Sequence, residues 1–520
     1  FGPERRNSEG LAFGDRAAVE ALCAGIARVT GPFAAKPIID GREREGRTRP
    51  VLGPIDGASL GTVTEADAAT AARAMDAAAR GFLDWAAAPA ETRAACLERT
   101  ADAFAANRDT LLHLLRTEAG KTLDDALAEW REAIDFLRYY AAEGRKLFAA
   151  PLALPGPAGE ANTLRLHGRG VFAAISPWNF PLAIFTGQIA AALMAGNAVV
   201  AKPAPQTPLV ADLALRLLHG AGIPVGALHL VPGGPEAGAA LIGHPALAGV
   251  VFTGSTATAR AINRALAARD GAILPLIAET GGINAMIVDA TALPEQVADD
   301  VVTSAFRSAG QRCSALRLLL VQEDVAEGMI ATIVGAAREL RVGDPRELAT
   351  DLGPVIDAEA KARLDAHIAR MGREARTHLA ETAPPGLYVA PHVFELERIT
   401  DLREEVFGPV LHVVCYRSDE LDRVVEKIRA GGYGLTLGIH SRIESTWTRI
   451  AAALPHGNSY VNRNMIGAVV GSQPFGGTGL SGTGPKAGGP HYLARFATER
   501  TLTVNTAAAG GSVGLITLDG

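Results

Sequence analysis

Three residues of this 520-residue chain have neighbours suited to covalent chemistry. Cys313 stands in Gly310-Gln311-Arg312-Cys313-Ser314, after a helix-like stretch and in a glycine-containing turn, with Arg307 and Arg312 close in sequence. A thiol becomes a nucleophile where it is partly exposed and positive charge favours its thiolate. A buried, inert thiol is the commoner fate of a free cysteine. Glu279 lies in Leu276-Ile277-Ala278-Glu279-Thr280-Gly281-Gly282, directly after an apolar run over Ile273–Ile277. A carboxylate at the carboxyl end of a buried strand sits where α/β sheets place their ligands; the plainer alternative is an acid in a surface turn. Asn179, in Ser176-Pro177-Trp178-Asn179-Phe180-Pro181, also follows a strand-like run. Its amide could donate to a developing oxyanion, or only shape a turn between two prolines.

The elements that must position these residues can be read from periodicity. Three Ala- and Leu-rich segments at helical spacing come first, about Glu65–Ala86, Glu91–Glu118 and Leu123–Leu147, with Gly120 as a stop. A Pro/Gly connection spans Pro151–Gly159. From Gly170 short β-branched runs alternate with helices. Strands are expected at Val171–Ile175, Ala198–Ala201, Leu228–Val231, Gly249–Phe252 and Ile273–Ile277. Helices are expected at Ala183–Ala195, Leu209–Ala221, Pro235–Ile242 and Thr256–Ala268. Such alternation argues a parallel, doubly wound sheet. A second α/β stretch runs from Ala285 to about Asn462, with a helix near Glu295–Ser308, strands near Leu316–Gln322 and Val410–Tyr416, and a helix near Asp419–Ala430. The tail from Gly476 is Gly-rich, then extended at Thr501–Val504. No internal repeat is evident.

Composition excludes several classes. Hydrophobic content of 48% and charged content of 20% are ordinary for a globular protein. A net charge of −6 gives no reason to expect nucleic acid or an anionic membrane as partner. Cys23, Cys96, Cys313 and Cys415 form no Cys-x-x-Cys pair, so no zinc or redox motif is expected, and so few thiols suit a reducing compartment. The apolar run Leu182–Ala201 contains Thr186, Gly187, Gln188, Gly196 and Asn197, and reads as a buried helix and strand rather than a membrane span. The opening Phe1-Gly2-Pro3 has neither an initiator Met nor an apolar leader, and reads as a piece of a longer polypeptide. Gly477-Thr478-Gly479-Leu480-Ser481-Gly482 matches a dinucleotide-binding pattern, but glycines and Pro485 follow where a helix is required, so it reads as a loop. Gly510-Gly511-Ser512-Val513-Gly514 matches a hydrolase elbow with no His after it.

Taken in order, Pro177–Pro181, Lys202-Pro203, Phe252–Ser255, Glu279–Gly282, Gly310–Cys313 and Glu405-Val406-Phe407-Gly408-Pro409 resemble the aldehyde dehydrogenase superfamily over nearly the whole chain. The opening Gly2–Ser8, the loops Gln473–Gly477 and Ser481–Pro490, and Thr503–Thr506 resemble the C-terminal half of proline utilization A proteins, which oxidises glutamate semialdehyde. The flavin-dependent proline dehydrogenase half of those proteins has no counterpart in the sequence.

The resemblance implies a Rossmann-type cofactor domain over 31–152 and 170–280 behind an N-terminal linker and helix over 1–30. It implies a catalytic α/β domain over 281–475. It also implies a small β bridging element over 153–169 and 490–510, combining Thr163–His167 with the tail and pairing subunits into a dimer or larger. Cys313 would form the thioester, Asn179 and the Cys313 N–H would hold the oxyanion, and Glu279 would activate the hydrolytic water. NAD would be held by Lys202, Gly254, Ser255 and Glu405, with Phe407 and Trp178 in the same cleft. Many relatives have Lys-Pro-x-Glu where this chain has Lys202-Pro203-Ala204-Pro205, which leaves NADP open. Backbone N–H groups of Gly467 and Ala468, with Ser314, would take the substrate carboxylate, and Phe180 and Phe475 would flank its stem. The substrate implied is L-glutamate γ-semialdehyde, formed from pyrroline-5-carboxylate, in a cytoplasmic enzyme. Another semialdehyde such as succinate semialdehyde is the alternative. Release of the thioester to CoA is disfavoured by Glu279. An inactive structural protein on the same fold is disfavoured because nucleophile, base and oxyanion donor are all present.

Overall fold

The computed structural model describes residues 5–157, 159–506 and 508. Two seven-stranded sheets dominate it. The first has the strand order Leu276–Thr280, Leu247–Gly254, Val171–Ile175, Ala198–Lys202, Leu228–Leu230, Ile38–Ile39 and Arg42–Glu43. Its first five strands are parallel and the last two antiparallel. Both faces are buried, as parallel sheets require. Phe172, Ala174, Val199 and Ala201 face one hydrophobic cluster, while Val171, Ala173, Ala198 and Val200 face another. Chain order reverses between Val171–Ile175 and Leu247–Gly254, and such a switch point opens a crevice at the carboxyl ends of the strands.

The second sheet has the order Arg376–Ala380, His392–Glu395, Val410–Tyr416, Leu316–Gln322, Asn284–Val288, Thr436–His440 and Asn458–Val461, antiparallel only at its first pair. It too separates two cores, with Met286, Leu319 and Val413 on one side and Ile287, Leu320 and Val414 on the other. A third, antiparallel sheet pairs Ala497–Asn505 with Glu160–Gly168, which pairs in turn with Leu152–Leu154. The expected partnership of Thr163–His167 with the tail is therefore formed, with Thr501 opposite Leu164.

Several boundaries differ from the sequence reading. The helix expected over Glu91–Glu118 is two helices, Ala90–Ala106 and Arg108–Glu118. Asn107 breaks it at φ −101° and ψ 23°, its amide donating back to Ala103 O at 2.9 Å, a local bond that competes with helix continuation. The strand expected over Ile273–Ile277 is Leu276–Thr280. Ile273 is fully exposed, whereas Glu279 and Thr280 pair with Thr253 and Gly254, so Glu279 belongs to the strand rather than following it. The helix expected from Glu65 starts at Ala68, because Glu65 ends a strand, Ser59–Glu65, and Asp67 caps the helix. The strands Phe33–Ala35, Arg47–Leu52 and Ser59–Glu65 were not foreseen, since each is either very short or mixed in polarity. The connection Pro151–Gly159 includes the strand Leu152–Leu154.

The apolar run Leu182–Ala201 is the buried helix Ala183–Met194 followed by the buried strand Ala198–Lys202. No helix among the described residues is long and apolar enough to cross a membrane. Gly477–Gly482 is a loop holding a two-residue strand, Thr478–Gly479. Gly510–Gly514 and the opening residues Gly2, Pro3 and Glu4 lie outside the described residues.

Candidate active site at the seam of the two sheets

Four parallel strands of the first sheet end on candidate residues. Val171–Ile175 leads into Ser176–Asn179, Ala198–Lys202 ends on Lys202, Leu247–Gly254 on Gly254, and Leu276–Thr280 on Glu279 and Thr280. The pairings Ile175 with Lys202, Phe252 with Ile175 and Thr253 with Glu279 put these ends on one edge. Gly281 and Gly282 then carry the chain into Asn284–Val288 of the second sheet. A Cβ on Gly281 would lie 1.7 Å from Glu405 Oε2, so glycine is what allows Glu405 to lie against this link.

Cys313 comes from the second sheet, in the turn before Leu316–Gln322. Asn284 Nδ2 donates to Cys313 O at 2.6 Å and to Ala315 O at 2.9 Å, and Thr436 Oγ1 donates to Ser314 O at 3.2 Å. These bonds fix the peptides on either side of the thiol. The preceding residues Ser308, Ala309 and Gly310 all have positive φ, 57°, 52° and 66°. For Ser308 and Ala309 this is strained, costing about 1–3 kcal/mol each. Asp125, from the helix Leu123–Phe148, holds the turn. It accepts from Ser308 Oγ at 2.7 Å, Arg307 Nε at 2.7 Å and Arg312 Nη2 at 2.7 Å.

That network corrects one expectation. Asp125 engages both Arg307 and Arg312, and of the two only Arg312 still favours the thiolate, too weakly to offset burial. Burial pushes the Cys313 thiol up to about 12, and Glu405, Glu279 and Glu132 add to the shift against Arg312. At rest Cys313 is therefore a neutral thiol, which would need a base before it could act as a nucleophile. Glu279 is buried, and burial pushes its carboxyl up to about 8, opposed by the Gly477 N–H and Lys486. Gly477 N donates to Glu279 Oε2 at 2.9 Å. A Cβ on Gly476 or Gly482 would lie 2.8 Å from one or the other carboxylate oxygen. The glycine-rich loop thus wraps the Glu279 carboxyl, which accounts for Gly476 and Gly482 without any nucleotide.

Asn179 is buried, and its Nδ2 donates to Gln311 O at 3.2 Å, two residues before Cys313. Phe180 lies under two cations, Lys121 Nζ at 4.4 Å and Arg312 Cζ at 5.3 Å from its ring centroid. Trp178 meets Phe407 edge-on at 5.6 Å, and Arg317 lies 5.2 Å over the Phe407 ring. Arg317, fully buried, also donates to Gly310 O and Arg312 O and pairs with Glu405 at 3.5 Å. Burial raises the Glu405 carboxyl against the pull of Arg317.

Lys202 is buried, with one long contact from Nζ to Pro203 O at 3.5 Å. Burial pushes its ammonium down to about 8, with Glu65 opposing. An ammonium so poorly bonded suits an incoming hydroxyl. Ser255 caps the helix Thr256–Ala267, whereas Gly234 caps Pro235–Gly243 with no side chain, and a Cβ there would meet nothing within 4 Å. At the Ser255-capped helix Thr256 N and Ala257 N have no acceptor among the described residues, and such an end suits a phosphate. The residues present therefore fit a dinucleotide.

Gly467 and Ala468 lie in the loop after Asn458–Val461, Gly467 at φ 83°. Among the described residues neither N–H has an acceptor, while Met465 N is tied to Ser304 Oγ at 3.0 Å. Phe475 exchanges two backbone bonds with Ala487, both 2.9 Å, beside the loop around Glu279.

Cys313, Glu279 and Glu405 are thus brought within electrostatic reach of one another, and Asn179 beside the Cys313 turn. Lys202, Gly254 and Ser255 line the edge of the first sheet instead. The sequence reading missed Glu132, whose partly buried carboxyl is pushed up to about 7 by burial and Glu129. It also missed Asp125, Arg317 and Lys486. Glu132, Asp125 and Arg317 are charged residues without a local motif, whereas Lys486 lies in the family-like loop Ser481–Pro490, which did not single it out.

The aldehyde dehydrogenase family profile matches residues 42–502. The bifunctional protein PutA of Klebsiella aerogenes is 48% identical over 515 residues, covering 96% of this chain and 38% of that protein. The 1-pyrroline-5-carboxylate dehydrogenase of Geobacillus kaustophilus (strain HTA426) is 37% identical over 456 residues, covering 85% of this chain and 87% of that one. The crystal structure of a bifunctional proline utilization A protein superposes with a TM-score of 0.91 at 62% identity, covering 98% of this chain and 49% of that one. The chain spans roughly two fifths to one half of the length of these bifunctional relatives. With two parallel sheets meeting at a cysteine, a glutamate and an asparagine, and with the profile matched over most of its length, the chain belongs to the aldehyde dehydrogenase family of NAD(P)-dependent dehydrogenases.

Proposed function

We propose that this chain oxidises L-glutamate γ-semialdehyde, in equilibrium with cyclic pyrroline-5-carboxylate, to L-glutamate, the second oxidation of proline breakdown. The observation that carries the reading is the pair of N–H groups of Gly467 and Ala468, which have no acceptor among the described residues and lie in the loop after Asn458–Val461, whose Tyr460 is within electrostatic reach of Cys313. They suit a carboxylate. The partly buried Glu132, whose charge acts on Cys313, suits the substrate ammonium. Phe180 and Phe475 flank the stem, and Ser314 adds a hydroxyl. The naming of relatives as 1-pyrroline-5-carboxylate dehydrogenases supports the same substrate.

Cys313 Sγ, losing its proton to a base, attacks the aldehyde carbon. Asn179 Nδ2 and the Cys313 N–H stabilise the oxyanion, worth about 3–4 kcal/mol per donor in comparable sites. NAD(P), when bound, supplies the hydride acceptor. Lys202 holds its adenosine ribose, Gly254 and Ser255 its pyrophosphate end, and Glu405 its nicotinamide ribose, with Trp178 and Phe407 packed alongside. Glu279 then takes a proton from water as that water attacks the thioester, and the Cys313 thiolate leaves.

NAD is the preferred cofactor. Pro205 carries no carboxylate, but Glu65 sits near enough to act on Lys202, paired with Arg49, which also donates to Pro205 O. An acid beside the adenosine ribose repels a 2′-phosphate. The cofactor region is assigned to 31–152 and 170–280, the catalytic region to 281–475, and the subunit-bridging element to 153–169 with 490–510. A cytoplasmic homo-oligomer working with a proline dehydrogenase domain completes the reading.

The test is NADH formation from glutamate semialdehyde beside succinate semialdehyde and propanal, with NADP in parallel. Preference for the first, lost in Cys313→Ala, supports the proposal. Turnover of the others alone discards the substrate, and equal NADP turnover discards the cofactor preference.

A further inference from the structure

The turn that presents Asn179 is short of partners of its own. Residues 176–182 form neither helix nor strand, and Pro177 and Pro181 have no N–H to give. The helix that follows, Ala183–Met194, starts at Leu182 with no side-chain cap. Its first donors are nonetheless satisfied from elsewhere in the chain. Glu129 Oε1 accepts from Leu182 N at 2.8 Å and from Ala183 N at 3.1 Å. Glu129 is 0% exposed, on the helix Leu123–Phe148. Its other oxygen pairs with Lys121 Nζ at 3.0 Å, and that same ammonium lies over the ring of Phe180, the residue after Asn179.

Orphan N–H groups at a helix start need an acceptor, and here it is a buried carboxylate reaching in from a separate helix. Glu129 therefore grips the chain three residues after Asn179, and Lys121 steadies the ring between. The opposite end of the arrangement is the Asn179 amide on Gln311 O. The same helix carries Asp125, which holds the turn before Cys313. One helix thus sets both the nucleophile's turn and the oxyanion donor's turn.

We propose that Glu129, with Lys121, is a positioning residue for the oxyanion site: it acts on the reaction only by setting where the Asn179 amide points. This rests on the role given to Asn179 above. A misplacement of about 1 Å in such a site can cost about 100-fold in rate.

The test is a double-mutant cycle on the full chain. Glu129→Ala and Asn179→Ala are made singly and together, and kcat and KM are measured with glutamate semialdehyde and NAD. Release of 4-nitrophenolate from 4-nitrophenyl acetate is followed in parallel, because acyl transfer to Cys313 needs the same oxyanion donor whatever the aldehyde. Glu129→Ala should lower kcat and nitrophenolate release about 10- to 100-fold in the parent. In the Asn179→Ala background it should cost no more than about threefold, since coupled residues are not additive. Its KM for NAD should stay that of the parent. Glu129→Gln, whose amide oxygen still accepts from both N–H groups, should recover most of the rate. Should Glu129→Ala fail to fold by thermal melting, Glu129→Asp, which keeps the charge and withdraws it from the N–H groups, is read in the same cycle. A full loss from Glu129→Ala on top of a slow Asn179→Ala variant would overturn this proposal alone. An Asn179→Ala variant as fast as the parent would sink the role of Asn179, and this proposal with it.

Discussion

At the scale of residues, the site's chemistry turns on which groups hold protons at rest. The Cys313 thiol is pushed up to about 12 and the Glu279 carboxyl to about 8, in both cases chiefly by burial. An acid with a raised pKa is protonated below that value and works as a base only above it. Thioester hydrolysis should therefore rise about tenfold per pH unit below 8 and level off above, as expected for a single essential base. Single-turnover kinetics from pH 6 to 9 would read this; a flat profile would remove Glu279 from the hydrolytic step. Glu279→Gln should acylate Cys313 and stall, which mass spectrometry of the intact protein would detect as retained acyl group. Asn179→Ala should lower kcat about 100- to 1000-fold, with folding unchanged by circular dichroism. The identities of Cys313, Glu279 and Asn179 were legible because each belongs to a short motif beside a strand end. The proton affinities of Cys313 and Glu279 were not, because Glu132, Glu405 and Lys486 reach them from distant segments.

At the scale of elements, strands buried on both faces were the easiest to read. Val171–Ile175, Leu316–Gln322 and Val410–Tyr416 fall where apolar runs put them, the last two interrupted inside by the buried Arg317 and His412. The turn at Ser308–Ala309 could not be read that way, since nothing local favours positive φ there; Asp125, 183 residues away from Ser308, imposes it. Removing that carboxylate leaves Arg312 buried and unpaired. Asp125→Ala should cost about 3–5 kcal/mol, the usual price of breaking a buried pair, measured by urea denaturation. A loss under about 1 kcal/mol, the range of exposed pairs, would mean that the turn holds itself. The link between the sheets makes a second prediction. Gly281→Ala puts a Cβ where Glu405 lies, and NAD binding by calorimetry should weaken about tenfold or more, the worth of one hydrogen bond to a charged group.

At the scale of the whole molecule, the sheet of Leu152–Leu154, Glu160–Gly168 and Ala497–Asn505 meets the core through Ala497 and Leu166. Leu152, Leu502 and Val504 on it are exposed at 62%, 63% and 41%. Apolar side chains on an unpaired strand edge invite a partner. Replacing Leu502 and Val504 together by Lys should shift the assembly toward monomer in light scattering, while each active site, built from the two large sheets, keeps its turnover. An unchanged mass would assign subunit contact to another surface. The pairing of this sheet was foreseen from the extended tail and its likeness to the family, whereas the strands near residues 33–65 were not, since they are short and half polar.

The loop around Glu279 has a consequence for synthesis. Translation delivers Cys313 well before Gly476, Gly477 and Gly482, the residues that enclose the base. A nascent chain stopped between those points carries the nucleophile without a seated base. Its thiol would accept acyl groups at best, and could not clear them. On the mechanism proposed here, a polypeptide terminated before Gly476 would lack the loop that seats Glu279, so hydrolysis would wait on the segment 476–482.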